Sequence, residues 1–253
     1  MPESLPTVNF AGLPIGRITP STAVEELYRL RAEGNKAKAI HFLSAHTISL
    51  SEKDSALRAI LRSGDWLLPD SRWLEIFSRI RKPHLKQVRG PDFFRNSLLL
   101  SEKNDAPHFF IGPSQSVNIA LLKTIRATLP GVSIAGFAVG PHPPIAHEHI
   151  KELAEQIPKE KRPVVWVGVG TPTQNFLAHD LAKETGLVVV GVGAAFEFLA
   201  NLKPEAPRWL SRVGLEWLYR LLSEPKRLWK RYLWGNVIFM FAIVKYRLFS
   251  AAK

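Results

Sequence analysis

The 253-residue chain has no cysteine, which excludes disulfides, zinc–cysteine sites and a thiol nucleophile, and fits a reducing compartment. It has no Asp-x-Asp triplet, so no adjacent carboxylate pair offers itself to a metal-bound nucleotide diphosphate. Long hydrophobic runs are also missing. The longest, Val237 to Val244, is far shorter than the roughly 20 residues that span a bilayer. The start, Met1-Pro2-Glu3-Ser4, lacks a basic segment followed by an apolar core, so no signal peptide is expected. No internal repeat or low-complexity linker is apparent. Acidic residues are scarce near the end: from Arg208 onward ten Lys or Arg face only Glu216 and Glu224.

What is present describes a packed protein with an unusual charge. Hydrophobic residues make up 46% and charged residues 22%, ordinary for a globular domain. The net charge of +12 points to polyanionic partners: nucleic acid, anionic lipid or phosphorylated substrates. Much of that excess lies in the last fifth of the chain.

The hydrophobic pattern alternates strands with helices. Strands are expected at Ala39–Leu43, Trp66–Leu68, His108–Ile111, Val132–Phe137, Val164–Gly168 and Leu187–Val192. Helices are expected from Pro20, over Ser51–Arg62, Pro91–Leu100, Ser116–Leu129 and His149–Gln156, and up to Glu184. Such alternation predicts an α/β fold, a mostly parallel Rossmann-like sheet with helices on both faces. A composition change near Asn201–Pro207 divides the chain into an α/β domain, residues 1–200, and a helical basic appendage, residues 201–253. Ligands of such sheets bind beyond the carboxyl ends of the strands. Asp70, Gly112, Gly170 and Gly193 all fall at such ends.

Each candidate motif has two readings. Asp70, after Leu67-Leu68-Pro69, is either a general base in a cleft or a helix N-cap. Gly168-Val169-Gly170-Thr171-Pro172-Thr173-Gln174 would let a phosphate approach backbone N–H groups at a helix start, with Gln174 adding an amide contact. It would equally serve as a tight turn, since it lacks both the P-loop ending and the third glycine of a dinucleotide fingerprint. Gly193 and Glu197 belong to a second turn, where Glu197 would hold ribose hydroxyls or stand as an exposed carboxylate. His142, His147 and His149 cluster around two prolines, but His147 and His149 lie on different faces of a helix, so no metal site is expected. From Pro207 the tail interleaves Trp, Tyr and Leu with Lys and Arg. This suits either an interfacial element on an anionic membrane or a helix packed on the core.

The segment Ala206-Pro207-Arg208-Trp209, then Gly214 to Leu222, Glu224-Pro225 and Arg227 resembles the C-terminal signature of the WecG/TagA/CpsF glycosyltransferases, glycosyltransferase family 26. Phe42 to Thr47, Leu68-Pro69-Asp70, Gly90 to Phe93, Phe110 to Gly112, Gly168 to Gln174 and Gly191 to Phe198 agree in order. The resemblance implies inverting, metal-independent transfer of a sugar from a UDP-sugar to a polyprenyl-diphosphate-linked saccharide in exopolysaccharide or cell-wall polymer synthesis, with no cofactor. It implies a cytoplasmic protein, peripheral on the inner face of the cell membrane, with no nucleic-acid partner.

Residue by residue, it places the base on Asp70 and the cations that offset the leaving diphosphate on Arg220, Arg227 and Arg231. Substrate contacts fall on Ser44, His46, Thr47, Arg89, Asp92, Gly112, Gly170, Gln174, Gly193 and Glu197. This chain departs from the family pattern at Ser44 (usually Asn), Ser71 (Gly), Asn175 (Glu), Glu197 (Asp) and Glu205 (Arg). A nonenzymatic scaffold of the same fold and a single-strand nucleic-acid binder are the competing classes. The apolar surface of the appendage would serve a second copy of the chain as readily as a bilayer.

Overall fold

The computed structural model describes residues 5–34, 37–63, 65–79 and 84–250, with the side chains of Arg227, Arg231 and residues 247–250 outside that description. In chain order the elements are β1 (Thr7–Phe10), β2 (Leu13–Gly16), α1 (Pro20–Glu33), β3 (Lys38–Leu43), α2 (Ala45–Ser51), α3 (Ser55–Leu61), β4 (Trp66–Pro69), α4 (Arg72–Ser78), α5 (Gly90–Leu100) and β5 (His108–Gly112). They continue as α6 (Gln115–Thr128), β6 (Ile134–Val139), α7 (His147–Gln156), β7 (Val164–Val167), α8 (Thr173–Thr185), β8 (Val188–Gly191), α9 (Ala195–Leu199), α10 (Arg208–Arg212), α11 (Glu216–Ser223) and α12 (Pro225–Ser250).

The main sheet has six strands in the order β4-β3-β8-β7-β5-β6. The pairings β3–β8, β8–β7, β7–β5 and β5–β6 are parallel, as the α/β alternation required. Strands β4, β5, β7 and β8 are short and wholly buried, while the edge strand β6 is half-exposed, which explains why Val164–Val167 reads as a continuous β-branched and aromatic run rather than an alternation.

The chain forms two compact units. One comprises residues 20–41 and 90–204, the other residues 1–19, 42–89 and 205–253. In the first unit the faces of the sheet bury different chemistry. On one, Phe109, Ile111, Val165, Val167 and Val189 pack with Ile150, Leu153 and Ala154 of α7 and Leu177, Ala178 and Leu181 of α8. On the other, Phe94 of α5 stands against Phe110, Trp166 and Phe196, at ring separations of 6.2, 4.9 and 5.3 Å.

In the second unit the β1–β2 hairpin, the loop-rich stretch 42–89 and the tail share a core. Phe10, Phe77 and Phe239 meet there. Gly235 of α12 lies against His46 and Ser49 of α2. One stripe of α12, Leu228, Phe239, Ala242 and Ile243, is buried.

Three of the expected elements depart from their expected boundaries by two residues or more. The helix expected over Ser51–Arg62 is α3, which starts later, at Ser55: the unexpected α2 closes at Ser51, and Asp54 opens α3 by accepting from the Leu57 N–H at 2.9 Å. An aspartate able to cap restarts the chain there. The strand expected at Val132 begins at Ile134 and runs to Val139. The helix expected from His149 begins at His147, with the His149 ring accepting from the Ala146 N–H.

Candidate active site

In the unit built on β5, β7 and β8, the strands end level. The Gly168 N–H donates to Ile111 O and the Val192 N–H to Val167 O, at 2.9 and 2.8 Å. Gly112, Gly170 and Gly193 follow at adjacent carboxyl ends. They are glycines for different reasons. A side chain at Gly112 would fall 2.0 Å from Asn118 Oδ1, while one at Gly170 would meet open space. Gly170 is instead dictated by its backbone, at φ +90°.

Gln174 does not hang free beyond this edge. It is buried, its Oε1 accepts from the Gly170 N–H at 3.2 Å, and its Nε2 donates to Gly191 O at 3.4 Å. The amide staples the two glycine turns to each other. Next to it, Asn175 is buried with its Nδ2 3.3 Å from His41 Nδ1. Glu197, on α9, pairs with Lys203 at 2.8 Å. Asp92 lies in the first turn of α5, 3.5 Å from Arg95.

The other unit carries the remaining candidates. Ser44 caps α2: its Oγ accepts from the Thr47 N–H at 3.2 Å and lies 3.1 Å from Thr47 Oγ1. His46 is half-buried beside them. Asp70 follows β4, with its N–H donating to Leu43 O at 2.9 Å and its own carbonyl accepting from Gln87 Nε2 at 2.7 Å. The capping role at this turn falls to its neighbour: Ser71 Oγ accepts from the Trp73 N–H at 3.3 Å and opens α4. The helix-cap reading of Asp70 therefore fails.

Arg89 is almost fully buried and engaged by carboxylates. Its Nε and Nη2 form a fork on Glu216 at 3.0 and 3.2 Å, and its Nη1 reaches Glu205 at 2.9 Å. Glu205, a departure from the family pattern, thus has a partner in this chain. The Trp73 indole donates to Gly214 O at 3.1 Å, tying the same tail segment to α4. Arg220 is half-buried on α11. Arg227 and Arg231 lie on α12, and their side chains are outside the described residues.

Two features were invisible in the sequence pattern. Glu75, buried on α4, accepts from Arg72 at 2.5 Å, from Arg79 at 3.1 Å and from the Gln87 N–H at 3.1 Å. Burial opposes its charge, but these three donors outweigh that and hold its carboxyl below its ordinary value. His108 is buried and its Nδ1 accepts from the Trp166 indole at 2.8 Å. Burial, with the charge of Arg31 added, pushes it down to about 3. Among the described residues no group of three or more His, Asp or Glu is placed to hold a metal ion.

A family model described as the Glycosyl transferase WecG/TagA/CpsF family matches residues 8–253. The chain is 31% identical over 177 residues to an N-acetylglucosaminyldiphosphoundecaprenol N-acetyl-beta-D-mannosaminyltransferase of Bacillus spizizenii, covering 69% of this chain and 66% of that protein. It is 28% identical over 186 residues to a protein of the same name from Bacillus subtilis, covering 72% and 69%. The matched stretch thus spans about two thirds of the length of these relatives. With the family model covering nearly the whole chain, this protein belongs to the WecG/TagA/CpsF family of glycosyl transferases.

Proposed function

We propose that this chain transfers a sugar, with inversion, from a UDP-sugar to a polyprenyl-diphosphate-linked saccharide during bacterial cell-wall polymer or exopolysaccharide synthesis. The names of the Bacillus relatives narrow the classes: an N-acetylhexosamine as the transferred sugar and a lipid-diphosphate-linked N-acetylglucosamine as the acceptor. The observation that carries the reading is Asp70. It ends a buried strand with its main chain held on both sides, and Ser71 relieves it of capping the helix.

In this mechanism the Asp70 carboxylate takes the proton of the acceptor hydroxyl. The hydroxyl oxygen bonds to the anomeric carbon from the face opposite the diphosphate. The bond from that carbon to the phosphate oxygen breaks, and UDP leaves with the electron pair. Arg220, Arg227 and Arg231 offset the negative charge that develops on it, so that no metal is required. The glycine turns stapled by Gln174 accept the nucleotide half, with Glu197 on the ribose side.

The lipid acceptor puts the enzyme at an anionic membrane surface. Opposite its buried stripe, α12 exposes Trp229, Leu233, Trp234, Val237, Phe241 and Val244, with Lys226 and Lys230 exposed near its start. Apolar and Trp side chains beside lysines suit burial at the headgroup level. A helix with one face docked on the protein lies along the surface, and no described helix is long and apolar enough to cross a membrane.

The test is acceptor-dependent UDP release in the presence of anionic vesicles, screened over UDP-N-acetylhexosamines, UDP-hexoses and UDP-uronic acids. Asp70→Asn keeps both main-chain hydrogen bonds and is expected to lower kcat by about 10²- to 10⁴-fold. Wild-type turnover by that variant refutes the base. UDP release without an acceptor refutes the transfer.

A further inference from the structure

We propose that Gln87 and Glu75 are positioning residues for the catalytic base. The inference rests on the reading of Asp70 as that base. Asp70 lies in a turn between β4 and α4, where nothing regular fixes the backbone beyond Pro69. A general base must nevertheless be held to a fraction of an ångström. Here part of the holding comes from Leu43 at the end of β3 and the rest from the irregular return segment, Leu85 to Arg89.

Gln87 Nε2 donates to the Asp70 carbonyl at 2.7 Å, and the next residue's N–H, Val88, donates to Pro69 O at 2.7 Å. With the Asp70 N–H donating to Leu43 O at 2.9 Å, both peptide groups of Asp70 are fixed.

Gln87 is itself fixed from behind. Its N–H donates to Glu75 Oε2 at 3.1 Å, and Glu75 is held in turn by Arg72 and Arg79. Ser78 adds a second tie: its Oγ donates to Glu75 O at 2.7 Å and accepts from the Leu85 N–H at 3.0 Å. The carboxylate that anchors this relay is 5% exposed, and hydrogen bonds to a buried charge are the strong, short kind. A buried carboxylate with two guanidiniums could serve stability alone. The third bond is different, because it passes through one side chain to the residue that carries the base.

The perturbation is Gln87→Leu, which keeps the bulk and removes the donor. The expected result is a fall in kcat on the order of tenfold to a hundredfold. The KM for the donor sugar, UDP affinity by calorimetry and the urea midpoint should stay near wild type. Gln87→Glu provides a readout that a merely structural role would not move. Its carboxylate sets acceptor against acceptor at neutral pH, close to Asp70 and Glu75 and to Arg72 and Arg79. Its kcat relative to wild type should rise as pH falls and the introduced carboxyl protonates and donates again.

If Asp70→Asn abolishes turnover while Gln87→Leu keeps wild-type kcat, the positioning role is refuted and the base stands. If Asp70→Asn remains active, the base assignment has failed first. If Gln87→Leu does not fold, Gln87→Glu decides alone: pH-independent activity relative to wild type overturns the proposal, and recovery in acid supports it.

Discussion

Replacing Arg89 by Met tests whether the tail is latched to the rest of its unit by charge. The side chain is 8% exposed, and the two carboxylates it holds, Glu205 and Glu216, are each 25% exposed. Three charge-assisted hydrogen bonds run from Arg89 to these carboxylates among the described contacts, two of them a fork on Glu216 that matches the guanidinium plane. Removing one partner of a fully buried ion pair costs about 3–5 kcal/mol. Each glutamate side chain is a quarter exposed, so the penalty is scaled down to about 2–4 kcal/mol for Arg89→Met. The stranded carboxylates cause part of that loss. Adding Glu205→Gln and Glu216→Gln to Arg89→Met should therefore recover about 1–2 kcal/mol of it.

Urea unfolding followed by tryptophan fluorescence measures both quantities. With a slope of about 2–3 kcal/mol/M, Arg89→Met moves the midpoint by about 1 M. A midpoint within about 0.2 M of wild type, or no coupling between the arginine and the two glutamates, would place the cluster among screened surface pairs and refute the latch.

Two further predictions follow from separate features. His108 is buried and neutral, and its folded value of about 3 lies below the unfolded value of about 6.5. Between those values the unfolded chain binds a proton that the folded chain does not, so stability falls as pH drops through that window. The loss at pH 5 is about 2 kcal/mol relative to pH 7. His108→Gln, whose side-chain oxygen can still accept from Trp166, should flatten that part of the curve, and an unchanged slope would count against the assignment. On the membrane side, Lys226→Gln with Lys230→Gln should weaken sedimentation with phosphatidylglycerol vesicles about 30-fold, at about 1 kcal/mol per lysine. Uncharged vesicles should show little difference, and equal loss on both would refute the electrostatic contribution.

The candidate site was legible in uneven measure. The glycine turns could be found because only glycine tolerates the Gly170 backbone or the crowding at Gly112. Asp70 could be picked out, but its alternative reading could not be removed, since aspartate caps helices as well as serine does. Only the observed bond from the Trp73 N–H to Ser71 assigned that duty. Gln174 was expected to face a ligand, whereas its amide joins two main-chain turns 4 and 17 residues away. Helix α2 escaped notice because three of its middle residues in a row, Thr47, Ile48 and Ser49, are buried, two of them polar, which erases the apolar stripe.

The sequence by itself determined the alternation of strands and helices, the basic tail and the family. Hydrophobic period, turn chemistry and motif order are local, or survive as fixed residues in a fixed order. The tertiary structure alone decided that Glu205 and Glu216 answer Arg89 across 116 and 127 residues. It also decided that Glu75 reaches Asp70 through Gln87, and that α12 buries one side while leaving another apolar side in solvent. No local pattern encodes these partnerships. A charge or an amide is indifferent to sequence distance, and its partner is chosen only when the chain has folded and water has been removed from around it.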